Sequence, residues 1–220
     1  MLPHTERVPK ILLEVRGRPF AAWLLERLRD AGFDEALLCI AHLGGAVREA
    51  IGDGSAFGIR IRYADEGGTL MGTAGALRSA LPELASTFLV TYGDSYLPFD
   101  YAAPLRALEA HPTARGAMAV FENHDELEAS NTAVKGDWIT RYDKAREESP
   151  ILLDHIDYGA IALRREVIEA LPAGMPLGLD GIQSRLATEG TLLAHRAATR
   201  FFEIGSPRGR TDLEAYLKQA

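Results

Sequence analysis

The sequence contains one cysteine, Cys39, in 220 residues. No disulfide can close within the chain, which excludes a disulfide-stapled secreted scaffold and points to a reducing compartment, the cytoplasm. Cys39 lies in the apolar run Ala36–Ala41 and is expected in the core. No apolar run approaches the ~18 residues of a transmembrane helix, so no membrane partner is expected. The opening Met1–Arg7 has no apolar core of a signal peptide. Positive charge is also scarce, 24 Lys and Arg against 31 Asp and Glu, for a net charge of -7. That balance argues against a nucleic-acid polymer as partner, which usually needs a basic face. It does not exclude a nucleotide, since one phosphate needs only one or two cations and some backbone N–H groups. The six histidines show no metal-ligand spacing. There is no G-x-G-x-x-G fingerprint and no P-loop. Gly93-Asp-Ser95 lacks the second glycine of a nucleophile elbow.

What is present is an ordinary globular composition, 47% apolar and 25% charged. The length suffices for a full core. Phe20, Trp23, Leu24, Leu25 and Leu28 line one face of a helix that Gly32 ends. Glu35–Ala41 reads as a strand, Gly44–Ile51 as a helix and Phe57–Tyr63 as a strand. Met71–Leu81 opens a further helix. Phe88–Thr91 reads as a buried strand, Tyr101–Ala110 as a helix and Gly116–Phe121 as a strand. Short strands and turns fill 122–158. Then come a strand at Tyr158–Leu163, helices at Glu166–Leu171 and Leu179–Thr188, strands at Thr191–Ala197 and Arg200–Ile204, and a helix at Asp212–Lys218. The alternation predicts an α/β fold, a single Rossmann-like domain over 1–220. Its sheet is expected to be mixed but mostly parallel, with helices on both faces and a small β excursion at 122–158.

The chain's chemistry gathers around Thr87–Asp100. Asp94 stands just past an apolar strand, where open α/β sheets bind ligands, and can hold a hard cation through oxygen. Gly93 allows a sharp turn and close approach of a ligand. The ordinary reading of Asp94 is a loop residue capping the next helix. Gly72-Thr73-Ala74-Gly75, after Glu66 and before a helix, can turn backbone N–H groups toward a phosphate or the edge of a base, or can simply be a tight turn. Lys10 follows Pro9, and Lys144 follows a short strand; each can face a phosphate or lie idle at the surface. Asp157-Tyr158-Gly159 opens a strand, with Gly159 suggesting close approach. Glu203, among the apolar residues Phe201–Ile204, is unusual there unless paired or metal-bound.

Seven fragments in order then carry a resemblance: Thr5-Glu-Arg-Val-Pro-Lys10, Gly17-Arg-Pro-Phe20, Gly72-Thr-Ala-Gly-Ala-Leu77, Tyr92-Gly-Asp-Ser95, Tyr142-Asp-Lys144, Asp157-Tyr-Gly159 and Phe202-Glu-Ile-Gly-Ser-Pro207. Together they resemble the sugar-phosphate nucleotidyltransferases, over nearly the whole chain, with a flavour similar to the bacterial heptose- or muramate-1-phosphate type. The resemblance implies a nucleotide-diphospho-sugar transferase fold. It implies that a nucleoside triphosphate and a sugar 1-phosphate become an NDP-sugar and pyrophosphate, with Mg²⁺ as cofactor. Asp94 and Glu203 would hold the Mg²⁺. Lys10 would contact the triphosphate, and Glu66, Gly72, Thr73 and Gly93 would line the nucleotide site. Lys144 would meet the sugar phosphate, and Tyr158 and Gly159 the sugar.

The sequence departs from the family pattern in two places. The family usually has Asp where this chain has Glu203. The family also opens with a strand and a loop of the form Gly-Gly-x-Gly-Thr-Arg, whereas this chain begins at Met1-Leu-Pro-His-Thr5, already past that point. The expectation is that the first strand and its triphosphate cradle are missing, that Met1 is internal to a longer natural product, and that these 220 residues are weakly active or inactive. Two alternatives stand beside this reading: a non-catalytic sugar-nucleotide-binding or regulatory protein of the same fold, and an unrelated dinucleotide enzyme. The sequence leaves homo-oligomerisation open, and names neither base nor sugar.

Overall fold

The computed structural model describes residues 8–67, 70–146 and 151–219; Thr5, Glu6 and Arg7 of the first fragment lie outside them. In chain order the elements begin with a hairpin, β1 (Glu14–Val15) and β2 (Arg18–Pro19), whose turn places Arg16 and Gly17 at positive φ. Helix α1 (Phe20–Asp30) follows and buries Phe20, Leu24, Leu25 and Leu28, the face that apolar spacing predicts. Then come β3 (Glu35–Ile40), α2 (Gly44–Ile51), β4 (Arg60–Asp65), α3 (Gly72–Ser79), β5 (Thr87–Thr91), β6 (Ser95–Tyr96), α4 (Ala103–Ala110) and β7 (Gly116–Glu122). The rest are β8 (Thr132–Lys135), β9 (Trp138–Tyr142), β10 (His155–Arg164), α5 (Arg165–Glu169), α6 (Leu179–Thr188), β11 (Leu192–Arg196), β12 (Phe202–Glu203) and α7 (Pro207–Tyr216). Phe57, expected to begin β4, instead ends a 3₁₀ turn at Ser55–Phe57, because Gly54 and Gly58 on either side adopt positive φ.

The chain forms two compact units. The first comprises Met1–Leu70, Tyr92–Pro98 and Phe201–Ala220. Its β3 and β4 pair in parallel, joined by α2, and its β6 and β12 pair antiparallel with Glu203 opposite Ser95. Tyr216 of α7 stacks near Phe202, with ring centroids 4.8 Å apart, and Tyr96, at 6.2 Å. Those rings fix the short β6–β12 ladder to α7, and Leu97, Ile204 and Leu213 are fully buried beneath it.

The second unit, Met71–Thr91 and Phe99–Arg200, is built on one six-stranded sheet in the order β5-β10-β7-β11-β9-β8. His155 of β10 also pairs with Thr132 of β8, which closes β10, β7, β11, β9 and β8 into a ring. Leu108, Ala114, Ala117, Ala162 and Leu193 form a buried cluster under α4, with Leu89 and Trp138 packed against it.

Two sequence expectations are corrected here. The sheet pairing is not mostly parallel. Only β3–β4 and β7–β11 are parallel among the described ladders, and β10 runs antiparallel to β5, β7 and β8. Residue alternation reports which face is buried but not which way a neighbour runs. Nor is β5 fully buried: all five residues are half-buried, and among the described residues β5 pairs on one edge, with β10.

Candidate active site

In the first unit, Pro9 and a 3₁₀ turn at Lys10–Leu12 set the direction of Lys10. Pro9 O accepts from Leu12 N at 2.9 Å, and Lys10 O from Leu13 N at 2.9 Å. The Lys10 ammonium donates to Asp94 Oδ2 at 2.8 Å. Asp94 lies between β5 and β6, and its carbonyl accepts from Ile204 N at 2.9 Å, which ties it to the strand that carries Glu203. The Glu203 backbone is fixed in turn by α7. Ser206 caps that helix through Gly209 N at 2.9 Å, and a Cβ on Gly209 would lie 1.8 Å from Glu203 O. Only glycine allows the carbonyl to sit there. A Cβ on Gly205 would meet Glu203 Oε1 at 3.3 Å and Lys10 Nζ at 3.4 Å, so the Glu203 carboxylate and the Lys10 ammonium flank one point. The Asp94 hydrogen bond, and then the Asp94 and Glu203 charges, hold the Lys10 pKa above its ordinary value against partial burial. The structure therefore brings Lys10, Asp94 and Glu203 together.

Two carboxylates on fixed backbones suit Mg²⁺, which takes one or two protein carboxylates and fills its octahedron with water and substrate phosphate. Among the described residues no cluster of three or more His, Cys, Asp or Glu is placed to hold an ion by itself.

Gly93 has no positive φ, and a Cβ there would make ordinary contact with Ile11 Cδ1 at 3.5 Å. Gly93 and Asp94 lie in the expected turn, but the backbone there does not require a glycine. Glu66 follows β4, donating its N–H to Ile40 O at 2.9 Å. Its charge acts on Cys39, which is the one exposed residue of the otherwise half-buried or buried strand β3 and not a core residue. The residue's surface is open while the sulfur's surroundings are dense; dense surroundings govern ionisation, and they push the thiol up to about 11. A recess of about 370 Å³ in this unit is lined by Glu14, Arg16, Gly17, Arg210, Thr211 and Glu214, none of which belongs to the candidate site.

In the second unit, Gly72 and Thr73 open α3, but a protein carbonyl has taken part of the expected anion cradle. Leu177 O accepts from Ala74 N at 3.0 Å and Gly75 N at 3.2 Å, and Leu177 N donates to Met71 O at 2.8 Å. A Cβ on Gly72, whose φ is +67°, would sit 2.6 Å from Leu177 O. Gly72 is thus demanded by a loop far along the chain, and among the described residues the N–H groups of Gly72 and Thr73 are not taken up by Leu177 O.

Lys144 is exposed after β9, and its charge acts on Asp157. Asp157 Oδ1 accepts from Gly159 N at 2.9 Å and Oδ2 from Gln183 Nε2 at 2.6 Å. Desolvation nonetheless raises the Asp157 pKa above its ordinary value, outweighing those hydrogen bonds and Lys144. Asp157 keeps some accessible surface while ringed by protein. The β10–β7 register shifts between Asp157 and Ile161, and Gly159 takes φ +92° at that irregularity. Tyr158 is 1% exposed, its hydroxyl donates to Thr199 O at 2.7 Å, and Phe99 meets it edge-on at 5.2 Å. Its side chain is a core group, and the surface at this point belongs to its neighbours. Sequence reading passed over Asp157 as a site residue, and also Gln183, Leu177 and Gly209. Asp157 was signalled by the Asp-x-Gly spacing; the other three carry no local signal.

A family model described as the MobA-like NTP transferase domain matches residues 5–199. N-acetylmuramate alpha-1-phosphate uridylyltransferase from Neisseria meningitidis serogroup B is 41% identical over 113 residues, which are 51% of this chain and 49% of that protein. UTP--glucose-1-phosphate uridylyltransferase from Synechocystis sp. is 29% identical over 197 residues, 81% of this chain and 50% of that protein. The chain thus spans about half the length of these curated relatives. The fold is shared with a putative glucose-1-phosphate thymidylyltransferase from Bacillus anthracis, solved in complex with a sucrose, at TM-score 0.85 and 16% identity, covering 100% of this chain and 91% of that one. It is also shared with HddC from Yersinia pseudotuberculosis complexed with GMP-PN, at TM-score 0.78 and 20% identity, covering 96% and 90%.

Proposed function

We propose that this chain, which belongs to the family of MobA-like NTP transferase domains, transfers a nucleotidyl group from a nucleoside triphosphate to a sugar 1-phosphate. A phosphate oxygen of the sugar 1-phosphate attacks the α-phosphorus in line, the bond from that phosphorus to the β-phosphate oxygen breaks, and pyrophosphate leaves. Both reactants are anions, so the protein's task is to align them and offset their charge. Asp94 and Glu203 hold Mg²⁺ in this reading, and the ion, when bound, supplies charge neutralisation at the phosphates. Lys10 serves the triphosphate. Glu66, Gly93, Gly72 and Thr73 serve the nucleotide, the last two through their remaining N–H groups. Lys144 serves the sugar phosphate. Gly159 and the backbone at Tyr158 serve the sugar. The observation that carries the reading is the 2.8 Å contact of Lys10 with Asp94, with Glu203 held beside it.

The same proposal takes residues 1–220 as one nucleotidyltransferase domain in the cytoplasm, with 122–158 on the sugar side. It includes a further strand and low turnover without it. The support for that strand is that, among the described residues, β5 pairs only with β10 and β3 only with β4, and their apolar residues stay largely half-buried.

The test is pyrophosphate release with Mg²⁺ from four nucleoside triphosphates and a panel of sugar 1-phosphates, using this chain and a form extended upstream. Turnover that needs one base and one sugar 1-phosphate supports the proposal. Binding of an NDP-sugar by both forms, without turnover in either, supports the non-catalytic alternative.

A further inference from the structure

Lys10 occupies a position that a divalent ion would contest. Its ammonium lies 2.8 Å from Asp94 Oδ2 and beside the Glu203 carboxylate, around the point that a Gly205 Cβ would fill. Neither carboxylate backbone can easily retreat. The Asp94 carbonyl is bonded to Ile204 N at 2.9 Å, and the Glu203 carbonyl is seated against Gly209. Both anions act on the same nearby cation, which is a side chain on a flexible four-carbon stem. A hard ion bound through Asp94 requires the oxygens that Lys10 now covers.

We propose that Lys10 is the built-in counter-ion of the Asp94–Glu203 pair, and that it withdraws from Asp94 when a divalent cation is taken up. Its ammonium then becomes free for the triphosphate only in the cation-loaded protein. Cation uptake and delivery of Lys10 are a single event, and nucleotide is engaged productively after it. This rests on the reading of Asp94 and Glu203 as the cation ligands.

The test is direct Mn²⁺ binding to the nucleotide-free protein, followed by electron paramagnetic resonance, together with thermal stability with and without Mn²⁺. Lys10→Met is expected to bind Mn²⁺ about three- to fivefold more tightly than the parent, the size of one exposed ion pair. It is expected to melt lower without the ion and to recover when the ion is added. Lys10→Arg, which keeps a cation in place, stays close to the parent. So does Arg48→Gln, which removes a positive charge paired elsewhere, with Asp65. Unchanged or weaker Mn²⁺ affinity in Lys10→Met, alongside lost affinity in Asp94→Asn, overturns the counter-ion role and leaves the carboxylate pair as a cation site. Mn²⁺ affinity indifferent to Asp94→Asn overturns both.

Discussion

Asp94 in the first unit and Asp157 in the second present the same carboxyl group in opposite surroundings. Asp94 is partly exposed and bonded to a full positive charge on Lys10. Asp157 is ringed by protein and bonded by two neutral donors, Gly159 N–H and the Gln183 amide, with the Lys144 charge acting as a lesser influence. A carboxylate balanced by a mobile ammonium can exchange that partner for another cation. A carboxylate balanced by fixed neutral dipoles keeps its geometry and orients groups that hydrogen-bond to it. The first arrangement is compatible with the cation and triphosphate roles proposed for it, and the second fixes the backbone at Gly159, where the sugar is proposed to lie.

The largest effect that would sharpen this contrast is Asp94→Ala. It is expected to lower kcat/KM about 10²- to 10³-fold relative to the parent of the same length, while leaving the melting temperature nearly unchanged. A similar loss from Asp157→Ala, with Mn²⁺ binding also gone, would break the contrast. Gly209→Ala comes next. Its Cβ has to push Glu203 O away from 1.8 Å, so about 1–3 kcal/mol of stability and about tenfold in activity are expected to go. Lys144→Ala should raise KM for the sugar 1-phosphate about tenfold and leave KM for the triphosphate alone, as steady-state kinetics in each substrate would reveal.

The smallest effect is Asp157→Asn. The Gln183 amide can turn over, so that its buried and unpartnered Oε1 accepts from the new Asn amide. The folded pKa of Asp157 is raised, so below the ordinary carboxyl value of 3.8 both folded and unfolded states are protonated and the group has no effect. As pH rises from there through the folded pKa, the folded state carries a desolvation cost that the unfolded state escapes. The variant lacks that cost. It should melt about 2–4 °C above the parent at neutral pH and level with it below pH ~4. Equal melting temperatures at both pH values would mean that burial does not penalise the Asp157 charge.

Local pattern made much of the fold legible. Apolar spacing gave α1, the stop at Gly52-Asp-Gly54 gave the end of α2, and Leu179–Thr188 gave α6 at its observed bounds. Strand partners were hidden, because the neighbours of β10 are set by packing across the sheet and not by its own residues. The same division runs through the site. Asp94 and Glu203 could be singled out as carboxylates at the ends of apolar strands, whereas Lys10 was marked by the family resemblance and not by its local pattern, and the approach of the three was not legible in any of them. Gly72 was readable as special, but its cause was not, since Leu177 arrives from another part of the chain. Gly209 carried no warning, because the carbonyl it admits becomes visible only when β12 and α7 are in place.

The most direct measurement follows the α-phosphorus itself. A nucleoside triphosphate labelled there would be incubated with Mg²⁺, a sugar 1-phosphate and the upstream-extended protein, with Asp94→Ala alongside. The account predicts label in an NDP-sugar, one unlabelled pyrophosphate released for each, no transfer without the sugar 1-phosphate, and almost none in the variant. Label appearing in free nucleoside monophosphate regardless of sugar 1-phosphate, or transfer undiminished by Asp94→Ala, would contradict it.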